Sequence, residues 1–360
     1  MDLNVKVFMN TANSAYEREI LREFHKGIET CINPNSIPYE TWKEFNKGNL
    51  AFDYLDRYAI PKKTDLAIMF GSWKLSRVRD KNSTRDPIHH LVRLAIAREC
   101  DNFLCIETPL LNRTISDSHQ YYRVGLNGFL QGEGTFIKNI DYPNDRLNEL
   151  GIKFNNWQSR GENIIIPLQL PGDASLRHQD INDWCMFAIE NIRMHSDRPI
   201  DLRIHPALGE KSWESVTDLY RKILQSEFKN VNFVNGQTVS LQEHFDNAYC
   251  VVSYTSGTSI DAMVAGIPVI PWDEGNFAYP ICNVHVENIE NVIDKMPSEE
   301  VTQQYLQNLA YHQWTTDEMK SGIVWQHFED IITESIESTK NESSELYEGN
   351  TGKKQKSGKT

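Results

Sequence analysis

Residues 248–270 constrain the fold of this chain more tightly than any other stretch. Ala248-Tyr249-Cys250-Val251-Val252-Ser253-Tyr254 is apolar and β-prone, and Thr255-Ser256-Gly257-Thr258 is a hydroxyl-rich turn. A short helix of small residues follows, Ser259-Ile260-Asp261-Ala262-Met263-Val264, and Gly266-Ile267-Pro268-Val269-Ile270 returns to a buried strand. Strand, turn, helix and strand in this order form a parallel crossover. The hydroxyls then stand at the carboxyl end of a strand where a helix begins. Unpaired N–H groups and a partial positive charge there suit a diphosphate or phosphodiester. The same residues also serve as an ordinary crossover with a Ser/Thr cap, and this segment alone leaves both readings open.

Similar units recur along the chain. Strands are expected near Val5–Met9, Leu66–Phe70 and Phe103–Ile106, with helices over Ala15–Glu29 and Pro87–Glu99. In the second half, strands are expected near Ile164–Leu168, Ile200–Ile204, Val231–Val234, Tyr249–Ser253 and Val269–Ile270. Helices over Ile181–Met194, Trp213–Ser226, Leu241–Ala248 and Ser259–Val264 separate them. This alternation marks α/β layering with mostly parallel sheets. The polar, aperiodic run Asn155–Asn163 is the candidate hinge. The expectation is therefore two Rossmann-like, doubly wound domains facing across a cleft: 1–156, and 157–334. From Ser335 the sequence turns rich in Ser, Glu, Lys and Gly and ends in a basic run, so 335–360 is expected to be a disordered tail.

At 360 residues the chain can bury two cores, and 39% hydrophobic with 24% charged residues is a globular balance. No run reaches the roughly 18 apolar residues needed to span a bilayer, and the first residues are too short an apolar run for a signal peptide. A cytosolic protein is expected. The six cysteines form no CxxC pair and have no His at zinc-finger spacing, so they read as small buried apolar residues. A net charge of −13 argues against indiscriminate nucleic-acid binding by the whole chain.

Three further strand ends carry chemistry. Ile164-Ile165-Ile166-Pro167-Leu168-Gln169-Leu170-Pro171-Gly172-Asp173 is a buried strand emptying into a glycine turn with one carboxylate, at a position that faces the ligand crevice in an open α/β sheet. Asp173 equally suits a turn cap. Glu107 lies just past the strand Phe103-Leu104-Cys105-Ile106, where an ion pair with Arg113 or Arg123 is the plainer reading. Two carboxylates from opposite walls can serve as nucleophile and acid/base, and retaining glycosyl transfer is one chemistry that can use such a pair. His205, at the tip of Leu202-Arg203-Ile204-His205-Pro206, can hydrogen-bond or charge-pair with a phosphate. Trp73, in Gly71-Ser72-Trp73-Lys74, offers an aromatic platform on the acceptor side or a core residue. Asp273 and Glu274 fall in a loop able to close on a donor. No DxD-like pair flanked by hydrophobics occurs, so no metal is expected.

Together these segments resemble the capsular-polysaccharide synthesis family, whose members include retaining transferases of the acidic sugar Kdo. The resemblance runs through most of 66–280. It is carried by Glu107-Thr108-Pro109-Leu110-Leu111-Asn112-Arg113-Thr114, Gln169-Leu170-Pro171-Gly172-Asp173-Ala174-Ser175 and His205-Pro206. Thr255-Ser256-Gly257-Thr258 with Gly266-Ile267-Pro268-Val269 completes it. Thr108-Pro109 departs from the Asp-Gly that follows the glutamate in that family, and Pro167-Leu168 stands where an acidic residue often precedes the glutamine.

The resemblance implies a GT-B arrangement, with Asp173 as covalent nucleophile and Glu107 as general acid/base. It places His205, Ser256, Gly257, Thr258, Gln169 and Glu274 on a nucleotide-sugar donor, and Trp73 and Arg113 toward the acceptor. The acceptor it implies is a glycan. The alternatives are a viral transferase acting on hydroxymethylated DNA, a sugar-nucleotide epimerase or hydrolase, and a sugar-nucleotide-binding protein without catalysis.

Overall fold

The computed structural model describes residues 3–12, 14–31, 39–40, 64–71, 88–113, 120–177, 179–208 and 213–354. Among these residues the strands form two sheets. The first contains β1 (Val5–Phe8), β2 (Tyr39–Glu40), β3 (Leu66–Phe70), β4 (Phe103–Glu107), β5 (Tyr121–Leu126) and β11 (Gln313–Thr315), in the order β11-β5-β4-β3-β1-β2. β1 to β4 are parallel, and β5 runs antiparallel to β4. The second contains β6 (Asn163–Pro167), β7 (Ile200–Ile204), β8 (Val231–Asn235), β9 (Ala248–Ser253) and β10 (Val269–Pro271). It is parallel throughout, in the order β10-β9-β6-β7-β8.

Helices cover both faces of each sheet, which explains why the strands read as unbroken apolar runs rather than alternating ones. In β6, Ile164 and Ile166 join one cluster and Ile165 the other, the period of two that a strand imposes. The first of these clusters receives Trp184, Ala188 and Ile192 from α4 (Ile181–Arg193) and Leu219 and Ile223 from α5 (Trp213–Gln225). The second receives Ile260 and Met263 from α7 (Thr258–Ala265) and Leu306 and Leu309 from α8 (Glu299–Ala310). In the first sheet, α1 (Ala15–Cys31) packs on one face through Ile20, Leu21, Phe24 and Ile28. On the other lies α2 (Ile88–Glu99), with Val92 and Ile96. These are two doubly wound α/β lobes facing across a cleft, as the sequence leads one to expect. Five of the six cysteines are buried and Cys31 is half-buried, and burial pushes the Cys100 and Cys282 thiols up to about 12.

The chain from Gln313 onward departs from the expectation. β11 pairs antiparallel with β5, so the chain returns to the first sheet after completing the second. Beyond it lie α9 (Thr316–Ser321), opened by a Thr315/Glu318 capping box, and α10 (Ile323–Lys354). Trp325, Phe328, Ile332 and Ile336 of α10 are buried in the first lobe's core. Residues from Gln313 onward therefore build the first lobe, not the second as the boundary at 334 had it. Nor does disorder begin at Ser335. Its hydroxyl donates to Asn102 Oδ1 at 2.6 Å, Ile336 is buried, and helix continues to Lys354. The apolar residues recur at helical spacing within a polar composition, and the spacing decides. Among the described residues, no helix is long and apolar enough to cross a membrane.

Candidate active site

In the second sheet the chain runs outward from β6 through β7 to β8, then crosses back to lay β9 on the other side of β6. The carboxyl ends of β6 and β9 flank that reversal, where open α/β sheets leave a crevice. A pocket of about 300 Å³ lies there. Its walls include Gln169, Asp173, His205, Thr255, Ser256 and Gly257 from the second lobe, and Glu107, Arg113 and Arg123 from the first.

Gly172 has a φ of +77°, which turns the chain after β6 so that Asp173 caps a short 3-10 turn, Ala174–Leu176. Asp173 Oδ1 accepts from the Ser175 N–H at 2.8 Å and from its hydroxyl at 2.6 Å. Among the described residues Oδ2 accepts no hydrogen bond. Capping thus occupies one oxygen of an exposed carboxylate and leaves the other open.

Gln169 is buried, and its amide is fully engaged. Nε2 donates to Ser175 Oγ at 2.7 Å and Thr255 Oγ1 at 3.1 Å, while Oε1 accepts from the Thr255 N–H at 3.2 Å. Thr255 Oγ1 donates in turn to the Ser175 carbonyl at 2.7 Å. These bonds tie the end of β6 to the end of β9. Gln169 borders the pocket, but its polar atoms hold the Asp173 turn rather than face a ligand.

His205, one residue past β7, accepts a hydrogen bond at Nδ1 from the Ala207 N–H, 3.1 Å away. In the neutral ring the proton then sits on Nε2. Burial pushes the imidazole pKa down; Asp173 opposes this, while Arg113 and Arg203 add to it. The ring is therefore neutral near pH 7, with a hydrogen-bond donor at Nε2 and no positive charge to offer.

α7 begins at Thr258, one residue before the expected start at Ser259. Ser256 Oγ accepts from the Thr258 N–H and donates to Thr258 Oγ1, both at 3.2 Å. Among the described residues, the Ser256 and Gly257 N–H groups have no acceptor within the protein. Arg113 reaches this turn from the first lobe and pairs with Asp261 on α7. Its guanidinium lies so close over Gly257 that a Cβ there would stand 2.5 Å from Nη1. Two open N–H groups, a helix N-terminus and an arginine make a site for a phosphate. Arg113, expected toward the acceptor, thus stands against the helix start at Gly257.

Glu107, half-buried at the tip of β4, lies opposite Arg123 of β5. Burial pushes its carboxyl pKa above the ordinary range; Arg123 and Arg93 pull it back, and Asp173 pushes it up again. Both carboxyls line the same pocket, one from each lobe. Neither arginine forms an ion pair with Glu107 within 4 Å among the described residues. The loop after Glu107 is held from the far end of the chain. Gln313 Oε1 accepts from the Leu110 and Leu111 N–H groups at 3.0 and 2.9 Å, and Nε2 donates to the Leu111 carbonyl at 3.1 Å.

The pocket therefore brings together Asp173, Glu107, His205, Ser256, Gly257, Gln169 and Arg113. Thr258 is not among the residues that line it, and its Oγ1 accepts from the Ser256 hydroxyl. Glu274 stands outside as an exposed side chain 3.5 Å from Arg177, which Asp273 also holds at 2.8 Å. Arg177 also pairs with Glu133 at 3.2 Å, so one guanidinium is shared among three carboxylates outside the pocket. Trp73 lies outside the described residues. Sequence reasoning assigned no site role to Arg123, although one arginine amid Tyr121-Tyr122-Arg123-Val124 is the signal that marks it: a charge inside a buried strand. Gln313 carried no such signal.

No family model matches the sequence, and no curated protein matches it. Among solved structures, the chain is similar to Thermosulfurimonas dismutans KpsC, a beta Kdo 2,7 transferase. The TM-score is 0.49 with 12% identity, over 89% of this chain and 98% of that one.

Proposed function

We propose that this chain is a glycosyltransferase that moves a sugar from a nucleotide-activated donor to a glycan acceptor with retention of anomeric configuration. One observation carries the reading: Asp173 and Glu107, from separate lobes, line one pocket beside a phosphate-suited helix start. The donor's phosphate rests on the Ser256 and Gly257 N–H groups and Arg113, with the Nε2–H of His205 as a further donor. Asp173 attacks the anomeric carbon as the bond to the phosphate oxygen breaks, and the nucleotide leaves with the electron pair. The acceptor hydroxyl then attacks the same carbon and displaces Asp173, while Glu107 takes the hydroxyl proton. Two inversions give net retention. A raised pKa makes Glu107 a stronger base once ionised.

Asp173→Ala should lower transfer on the order of 10³-fold or more while calorimetry still detects nucleotide binding. Full activity in that variant refutes the nucleophile role, and an inverted product by NMR removes the covalent intermediate. Melting curves with CMP, UDP and GDP identify the donor nucleotide, since a ligand of the folded state raises the midpoint by mass action. Free sugar formed without acceptor would point to a hydrolase instead.

A further inference from the structure

β8 is the last strand of the second sheet, and among the described residues no strand pairs with its outer side. The Ile200 N–H donates to the Asn230 carbonyl and the Gly236 N–H to the Ile204 carbonyl, so the even-numbered residues of β8 turn their backbone groups toward β7. The N–H and C=O groups of Val231 and Phe233, which alternate with them, point to the open edge. Native sheets blunt such an edge with a charge, a proline or a bulge. Val231-Asn232-Phe233-Val234-Asn235 has no charge and no proline, and its register with β7 is unbroken. Beside the edge, α5 presents a second apolar stripe. Leu219 and Ile223 are buried against the sheet, whereas Trp213, Tyr220 and Leu224 stand 37%, 49% and 66% exposed, two turns and one turn apart along the helix. The ring of Tyr220 meets that of Phe233 edge-on at 5.5 Å, which joins stripe and strand into one surface.

The order of charges on the helix decides what covers this surface. Glu214 and Asp218 lie in the first half of α5, Arg221 and Lys222 in the second. A copy of the same helix laid antiparallel sets acids against bases at both ends, whereas a parallel one sets like on like. The open strand is self-complementary in the same sense, since a two-fold axis pairs it antiparallel with itself. Two acids balance two bases here, so the patch escapes the self-repulsion that a net charge of −13 imposes on the whole chain. We infer that this face is the two-fold interface of a homodimer, in which β8 pairs antiparallel with β8 of a second copy and α5 packs antiparallel across the same axis. The two five-stranded sheets then become one. Antiparallel pairing turns their carboxyl ends opposite ways, so the two pockets open at opposite ends of the dimer. The inference is independent of the glycosyl-transfer reading.

Sedimentation velocity of the full chain over a concentration series should show a monomer–dimer equilibrium. Leu224→Glu and Tyr220→Lys, both at exposed positions, should each weaken the dimer at least tenfold. Asp218→Lys and Lys222→Asp should each weaken it too, and the two together should restore it, because the antiparallel arrangement sets these positions against each other. A chain that is monomeric at every concentration overturns the inference, as does a dimer unmoved by Leu224→Glu and Tyr220→Lys. A double charge variant as weak as its parents rejects the antiparallel packing. Hydrogen exchange on the wild type gives an answer even if a variant does not fold. Slower exchange of the Val231 and Phe233 amides as concentration rises supports the strand pairing, and fast exchange of both where the dimer predominates rejects it.

Discussion

The pH behaviour of Glu107 follows from its surroundings. Its carboxyl titrates above the usual range because burial outweighs Arg123 and Arg93, so the base form is lost as pH falls through that raised value. The acidic limb of kcat/KM should therefore lie above pH 4.5, vanish in Glu107→Gln, and move further up in Arg123→Gln, which removes an attractive charge. Stability has the matching sign. A raised folded pKa contributes stability below the unfolded value that is lost as pH rises through the folded one. Glu107→Gln should thus raise Tm at pH 7 and leave it unchanged near pH 4. Glu107 and Asp173 were legible in the sequence because each directly follows an apolar run. Arg123 was seen only as an ion-pair partner, since the strand register that sets it against Glu107 without a salt bridge is a non-local fact.

The element from β9 to β10 was the most legible, because everything that defines it is local: β-prone residues, turn, small-residue helix, strand. Gly257 shows what the turn needs. Its φ of −60° suits any residue, yet a Cβ would strike the end of the Arg113 side chain. Gly257→Ala should fold normally, displace Arg113 and weaken nucleotide binding about tenfold or more, the scale of a lost charge-assisted hydrogen bond. Isothermal titration tests this. Gly27 is a harder case, since a Cβ there would meet the Met319 carbonyl oxygen at 1.8 Å, where α1 crosses α9 backbone to backbone. The sequence showed α1 but not the helix it touches. α10 was misread for a reason of weighting: Ile331, Ile332 and Ile336 keep helical spacing, but the Ser, Glu and Lys around them dominated the composition.

At the scale of the molecule, the lobes are joined by more than the hinge. Leu110, Phe136 and Leu147 of the first lobe share a core with Ile260, Met263 and Leu309. Arg146 pairs with Glu318, donates to the Gln313 carbonyl at 2.7 Å and lies over the Trp314 ring at 4.3 Å. Truncation after Ala310 should accordingly prevent the first lobe from folding, since Trp325 and Phe328 are fully buried. Circular dichroism and limited proteolysis would reveal this. A gentler change, Gln313→Leu, removes three hydrogen bonds from the Glu107 loop and should cost about 1–3 kcal/mol by denaturant titration. Two lobes and a cleft were visible in the order of apolar runs, whereas the return of the chain was not, because pairing of β11 with β5 spans almost two hundred residues of sequence.

That return sets a timetable for synthesis. A nascent polypeptide emerging from the ribosome assembles the Asp173 turn, His205 and the Ser256 turn well before Gln313 has been made, so the Glu107 loop still lacks its brace. Prematurely terminated products lacking that glutamine would carry the second lobe's side of the pocket alone, and the pocket is complete only when β11 arrives.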